Sequence, residues 1–311
     1  MLLPATTTPQ RSETYMPMQD RSLTTPNTGL RLHYRTWGDE GAPPLVLVHG
    51  LASTLRIWDF VAPALAERYF VAAYDQRGHA LSDKPPDGYK LPNMLADLVG
   101  FIDAMRFEKP VVVGHSWGAN LALAYAATYP DRCAGLALVD GGIYDFQDMP
   151  ETTWEKVRRE LAPPDLSRYT LADIVSRMRE GVLSSLPRSF VEEYAASMMS
   201  VQPDGTIRAR LTLNPHLNIL RIIYDMRTVD LLPRVKCPVL AVQAAEGEPA
   251  NERAANFLRM KKQGAERARM LLPEAKIVWM EDTIHDIPLH KPERLAHEIV
   301  EFFEGGVAPT Q

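Results

Sequence analysis

The sequence predicts an α/β fold: a mostly parallel sheet covered by helices on both faces, interrupted by a long helical insertion. Three observations predict it. Short apolar runs alternate with segments of helical period. The runs lack the polar alternation of a sheet wet on one side, so both faces should be covered. Between about Tyr144 and Asp230 the strand runs stop and helical patterns take over.

The elements follow in order. Residues 30–37 alternate apolar and polar, as a half-buried strand does. Residues 44–49 (PLVLVH) and 70–74 (FVAAY) are short buried strands. Residues 91–105 place Leu95, Leu98, Val99, Ile102 and Met105 at helical spacing. A strand over 110–114, a helix over 117–129 and a strand over 133–139 come next. The insertion offers helices at 151–161, 171–183 and 190–199, and no strand is expected in it. Strands over 238–243 and 277–280 and a closing helix over 291–303 finish the chain. The charge-rich stretch 261–269 reads as a solvated helix face. These patterns divide the chain into a core (28–143 and 231–311) and a helical cap (144–230). A cap in that place should sit over the carboxyl ends of the strands, where ligands bind in such sheets.

Composition narrows the function. The 311 residues carry a formal net charge of -5, which leaves no electrostatic footprint for nucleic acid or an anionic membrane. No apolar stretch approaches the roughly 20 residues that span a bilayer. Residues 1–27 are rich in Thr, Pro and Gln. They lack the charged start and apolar core of a signal peptide and read as a disordered tail. Cys133 and Cys237 each abut a strand and are expected as small buried hydrophobes, which points to the cytoplasm.

The chemistry starts at Gly114-His115-Ser116-Trp117-Gly118, directly after Pro110-Val111-Val112-Val113. A serine hydroxyl is a weak nucleophile until it is exposed, oriented and given a base. A sharp strand–serine–helix turn does the exposing. His49-Gly50-Leu51 ends an earlier strand, so the Leu51 and Trp117 backbone N–H groups could form an oxyanion hole. Residues 75–83 (DQRGHALSD) mix charge and glycine and suit a hydrogen-bonded brace for the site. His285 follows the last strand, and an imidazole there can serve as base and then acid near neutral pH. The acid that orients it has three candidates: Asp140, Glu246 and Glu248. All precede His285, so chain order does not decide among them.

In order and spacing, His49-Gly50, the 75–83 segment, the Gly114 to Gly118 pentapeptide and the His285 segment resemble the α/β-hydrolase family. The resemblance covers about residues 28–145 and 232–305. It implies an eight-stranded, mostly parallel sheet, a variable lid and a Ser-His-acid triad. It also implies that Ser116 sets this chain apart from members with an aspartate nucleophile, the haloalkane dehalogenases and most epoxide hydrolases. Ala80 and Ala119 stand where glycine is common. Family members often carry G-x-x-D after the penultimate core strand. Here Ala244-Ala245-Glu246-Gly247 has glycine in place of that aspartate, and the stretch up to His285 is lengthened by an added helix. Some members place the acid one strand earlier, at the position of Asp140. Asp140 is therefore the expected acid, with Glu246 as the alternative and Glu248 behind it. The implied activity is a cofactor-independent serine hydrolase, with no metal, acting on a small ester or lactone through an acyl-enzyme on Ser116. A carbon–carbon bond hydrolase, an acyltransferase or perhydrolase, and a slow-turnover receptor would use the same residues. Trp154, Tyr169, Met178, Tyr194, Met198, Met199, Tyr224 and Met226 are candidates for an apolar pocket wall, although residues of this kind more often serve packing.

Overall fold

A computed structural model describes residues 20–245 and 247–305. An eight-stranded sheet runs in the order β1-β2-β4-β3-β5-β6-β9-β10. Its strands are β1 (Arg21–Thr24), β2 (Arg31–Trp37), β3 (Pro44–Val48), β4 (Phe70–Tyr74), β5 (Val111–His115), β6 (Gly135–Val139), β9 (Val239–Ala245) and β10 (Lys276–Glu281). Within this sheet β1 and β2 pair antiparallel, as do β2 and β4, and its other pairings are parallel. The helices are α1 (Ala62–Leu65), α2 (Leu91–Ala104), α3 (Trp117–Thr128), α4 (Trp154–Glu160), α5 (Leu171–Glu180), α6 (Arg188–Met198), α7 (Leu213–Asp225), α8 (Thr228–Leu231), α9 (Glu252–Leu271), α10 (Ile287–His290) and α11 (Pro292–Gly305).

The central strands are apolar throughout because both of their faces are buried. Along β3, Val46 and Val48 face α2 and α3 in a cluster with Leu98, Phe101 and Leu121. Leu45 and Leu47 point the other way, into a cluster with Trp58, Leu65 and Ile299. The period of two along a strand produces this division. Each fully buried aliphatic side chain contributes about 1.5–3 kcal/mol, so the two clusters hold the sheet more firmly than strand propensity does. β4 lies on one side of β3 and β5 on the other. The strand order reverses there, which opens a crevice beyond the carboxyl ends of β3 and β5.

Two expectations need correction. The end of the supposed tail is ordered: Arg21–Thr24 pairs with β2 along Arg21↔Tyr34 to Thr24↔Arg31. The backbone of β2 offered an unpaired edge, and a short polar segment suffices to cover one. Residues 1–19 lie outside the described residues. The insertion also contains strands, β7 (Met199–Val201) and β8 (Ile207–Ala209), paired antiparallel. Three-residue strands carry too little alternation to be read from sequence. Apart from this hairpin the insertion is helical, α4 to α8, and Phe146, Val157 and Leu220 form a small cluster there with Met260 of α9. Cys133 is buried, Cys237 is half-buried, and both are free thiols. Among the described residues no helix is long and apolar enough to cross a membrane.

Candidate active site

β5 ends in the turn that presents Ser116. Its backbone has φ 54° and ψ -120°, a region costly for a residue with a Cβ. The neighbouring glycines make the turn possible. A Cβ on Gly114 would lie 2.2 Å from the Gly118 carbonyl oxygen, and one on Gly118 would lie 2.2 Å from that of Val48. The turn is held from outside by the Ser116 N–H, which donates to the Val139 carbonyl at 2.9 Å. Ser116 is half-buried while the residues around it are buried.

His285 reaches Ser116 from the loop after β10. Its Nε2 lies 2.9 Å from Ser116 Oγ and its Nδ1 lies 2.6 Å from Oδ2 of Asp140. The tautomer that satisfies both has Nδ1–H donating to the carboxylate and Nε2 accepting from the serine hydroxyl. Asp140 follows β6, is fully buried and also accepts the Ala244 N–H at 2.9 Å through Oδ1. Burial alone would raise its pKa, but the hydrogen bond and charge of His285, with Lys261, hold it below the usual carboxylate value. Burial likewise works to lower the pKa of His285, and the bond to Asp140 outweighs it and raises that pKa above the ordinary histidine value. Glu248 is exposed, and Glu246 lies outside the described residues.

The loop after β3 is braced as the sequence suggested. Gln76 donates through Nε2 to the His49 carbonyl at 2.6 Å and accepts from the Trp117 indole at 2.8 Å. It thereby ties the end of β3 to the start of α3. His49 accepts the Gln76 N–H at 3.0 Å through Nε2, so its Nδ1–H donates to the Gly50 carbonyl at 2.8 Å. His79 accepts the Ala52 N–H at 3.2 Å. Arg77 is paired with buried Asp97, and Asp75 holds His33 and the Leu55 N–H. Among the described residues, neither the Leu51 nor the Trp117 backbone N–H has a hydrogen-bond partner. Trp117 opens α3, where N–H groups are free to serve a ligand.

Ser116, Leu51, Trp117 and His285 all line one cavity of about 1000 Å³. Its apolar wall comes from Phe146, Leu161, Leu220, Ile223 and Phe257, while Lys156, Arg253, Glu151 and Glu252 add charges of both signs. None of the eight aromatic and methionine residues named as wall candidates lines it, in keeping with the packing role that such residues more often have. Tyr169, Met178, Tyr194, Met198 and Met199 pack against the sheet cluster, and Trp154 and Tyr224 against the small one. Spacing cannot separate packing residues from wall residues.

The sequence also gave no sign of Lys261. It was expected on a solvated helix face, yet it is 4% exposed and its Nζ lies 2.7 Å from Oδ1 of Asp140. A pattern of alternating charges does not reveal which side of a helix a neighbouring loop covers.

The alpha/beta hydrolase fold family model matches residues 43–210. Over 101 residues the chain is 41% identical to epoxide hydrolase B of Mycobacterium tuberculosis, covering 32% of this chain and 28% of that protein. Over 103 residues it is 36% identical to 2-(acetamidomethylene)succinate hydrolase of Mesorhizobium japonicum, covering 33% and 37%. Both matches span less than two fifths of the relative's own length. Among solved structures, E-2-(acetamidomethylene)succinate hydrolase superposes with a TM-score of 0.72 at 22% identity, covering 93% of this chain and 100% of that one. The thioesterase domain from the curacin biosynthetic pathway gives 0.73 at 21% identity, covering 92% and 100%. At such identities the likeness shows the fold. With a family match over more than half of its length, the chain belongs to the α/β-hydrolase fold family.

Proposed function

We propose that this protein is a serine hydrolase that cleaves a small carboxylic ester or lactone through an acyl-enzyme on Ser116. The observation that carries the proposal is the continuous relay Ser116 Oγ–His285–Asp140, with links of 2.9 and 2.6 Å, opening on a largely apolar cavity. Ser116 attacks the carbonyl carbon as His285 Nε2 takes its proton. Asp140 accepts the Nδ1–H and stabilises the imidazolium. The Leu51 and Trp117 N–H groups hold the developing oxyanion, each contributing about 3 kcal/mol to the barrier reduction. The intermediate collapses, His285 protonates the departing alkoxide, and the alcohol leaves. His285 then deprotonates a water that attacks the acyl-enzyme, and the acid and free serine result. The chemistry needs no cofactor or metal. Residues 144–230 act as the lid: α4 and α7 contribute Lys156, Val157, Leu220 and Ile223 to the cavity, so substrate choice lies with them and with α9.

The epoxide hydrolases among the matched relatives do not redirect this reading. At the nucleophile position this chain has a hydroxyl paired with an imidazole base, an arrangement suited to acyl transfer. The test uses a fluorophosphonate probe and p-nitrophenyl esters of increasing chain length. Labelling and turnover are expected in the wild type and absent in Ser116→Ala. Turnover without Ser116-dependent labelling would overturn the proposal.

A further inference from the structure

Lys261 lies in the first half of α9, the helix between β9 and β10. Its Nζ lies 2.7 Å from Oδ1 and 2.8 Å from Oδ2 of Asp140, and 3.2 Å from the Ala244 carbonyl oxygen. The Phe257 ring centroid is 5.3 Å away. A buried ammonium costs several kcal/mol in lost hydration unless it is paired, and here one carboxylate and one carbonyl take its donors. Close approach of the helix makes the contact possible. Three residues further on, a Cβ on Gly264 would lie 2.4 Å from the Ile143 carbonyl oxygen and 2.7 Å from Tyr144 Cβ. α9 therefore lies flush against the segment that follows Asp140.

We propose that Lys261 is a positioning residue for the Asp140–His285 pair: its ammonium spans both carboxylate oxygens, keeps Oδ2 aimed at His285, and opposes the charge of the protonated imidazole. The proposal rests on the triad reading given above. Oδ1 is tied to the Ala244 N–H and to Nζ, and Oδ2 to Nζ and His285 Nδ1, so the carboxylate cannot turn without breaking a charged contact. The groups facing His285 come from four elements. They are Asp140 after β6, Lys261 on α9, Asp286 in its own loop, and His115 of β5. His115 donates through Nε2 to the His285 carbonyl at 2.9 Å, and burial keeps it neutral. Lys261 is the cation of this set. Its removal leaves Asp140 and Asp286 unopposed, so protonated His285 becomes more stable.

The experiment compares Lys261→Met and Lys261→Arg by kcat and KM against pH with a p-nitrophenyl ester, and by nuclear magnetic resonance titration of His285 in a Ser116→Ala background. In Lys261→Met the plateau kcat should fall about tenfold with little change in KM. The acid limb, and the His285 titration, should move up by about half a pH unit or more. Lys261→Arg should return both toward wild type. Where the Met variant fails to fold, Lys261→Gln makes the same comparison. An unmoved titration in the neutral variants, or the same shift in Lys261→Arg, overturns the proposal. If wild-type Ser116 takes no fluorophosphonate, the triad reading fails instead, and the His285 titration still decides the role of Lys261.

Discussion

The loops after β6 and β9 follow the carboxyl ends of two neighbouring parallel strands, and either could have carried the acid. They differ in every respect that matters to a carboxylate. After β6, Asp140 is fully buried with φ 47°, and a Cβ on Gly141 would press within 2.4 Å of the Ser116 carbonyl oxygen. After β9, Gly247 and Glu248 are exposed, and a Cβ on Gly247 would meet nothing within 4 Å. Reaching a strand end is therefore not enough. A triad acid needs donors that keep it ionised when buried, and Asp140 has three: the Ala244 N–H, Lys261 and His285. β9 meets Asp140 through the Ala244 N–H, and in the proposed triad the acidic side chain comes from the neighbouring strand end.

The sharpest way to break this comparison is to neutralise one carboxylate in each loop. Asp140→Asn should lower kcat by about 10⁴-fold, because an amide stabilises the wrong imidazole tautomer. Glu248→Gln should leave kcat within about twofold, as surface changes away from a site do. Steady-state kinetics on the two variants decides, and the reverse ranking would place the acid after β9.

A second contrast concerns stability. Gly141→Ala should cost about 2–4 kcal/mol, because the nearest atom is backbone and cannot yield cheaply. Gly247→Ala meets open space but keeps φ near 83°, so it should cost about 1 kcal/mol. Denaturant midpoints measure both, and equal losses would mean that the β6 loop is less constrained than its contacts imply.

The smallest expected effect is a dependence on pH. His285 must be neutral to act as base, so kcat should fall as pH drops through a pKa above the ordinary histidine value. The folded pKa of Asp140 is depressed, so its stabilisation is present above the unfolded value. It disappears as pH falls below about 4 through the folded value. The folded pKa of His285 is raised, so its contribution is present below the unfolded value and fades as pH rises through the folded one. Wild type should therefore lose more stability than Asp140→Asn between about pH 5 and pH 2. Urea unfolding across that range checks it, and parallel curves would contradict the charge account.

Much of this site was legible because strand ends and tight turns leave local marks. Ser116 lies in a five-residue signature, and His285 follows the last apolar run. The fold was readable for the same reason: uninterrupted apolar runs such as Val111–Val113 require cover on both faces. Chain order alone did not decide the acid, and the choice of Asp140 leaned on the family resemblance; Asp140 and Glu248 both follow strands, and their difference lies in burial and partners. Lys261 was misread because its burial depends on Gly264 letting α9 settle on Ile143 and Tyr144. That contact joins residues more than a hundred positions apart and has no local signature. The residues that do line the cavity, such as Phe257 and Leu220, had no mark in the sequence for the same reason: tertiary placement selects them, not spacing.

α9 also constrains how this protein could change under selection. Its Asn256 and Phe257 line the cavity, while Lys261, one turn on, grips Asp140 and has the Phe257 ring beside its ammonium. Substitutions at Phe257 that reshape substrate fit also alter the surroundings of that cation, so new specificity there arrives together with a changed acid–base balance. Leu220 and Ile223 of α7 share the small apolar cluster with Phe257 and Met260, so the wall they form also touches the helix that carries Lys261. Lineages or laboratory libraries that diversify this wall therefore change pH dependence and substrate range together, and a screen that reads both will see the coupling.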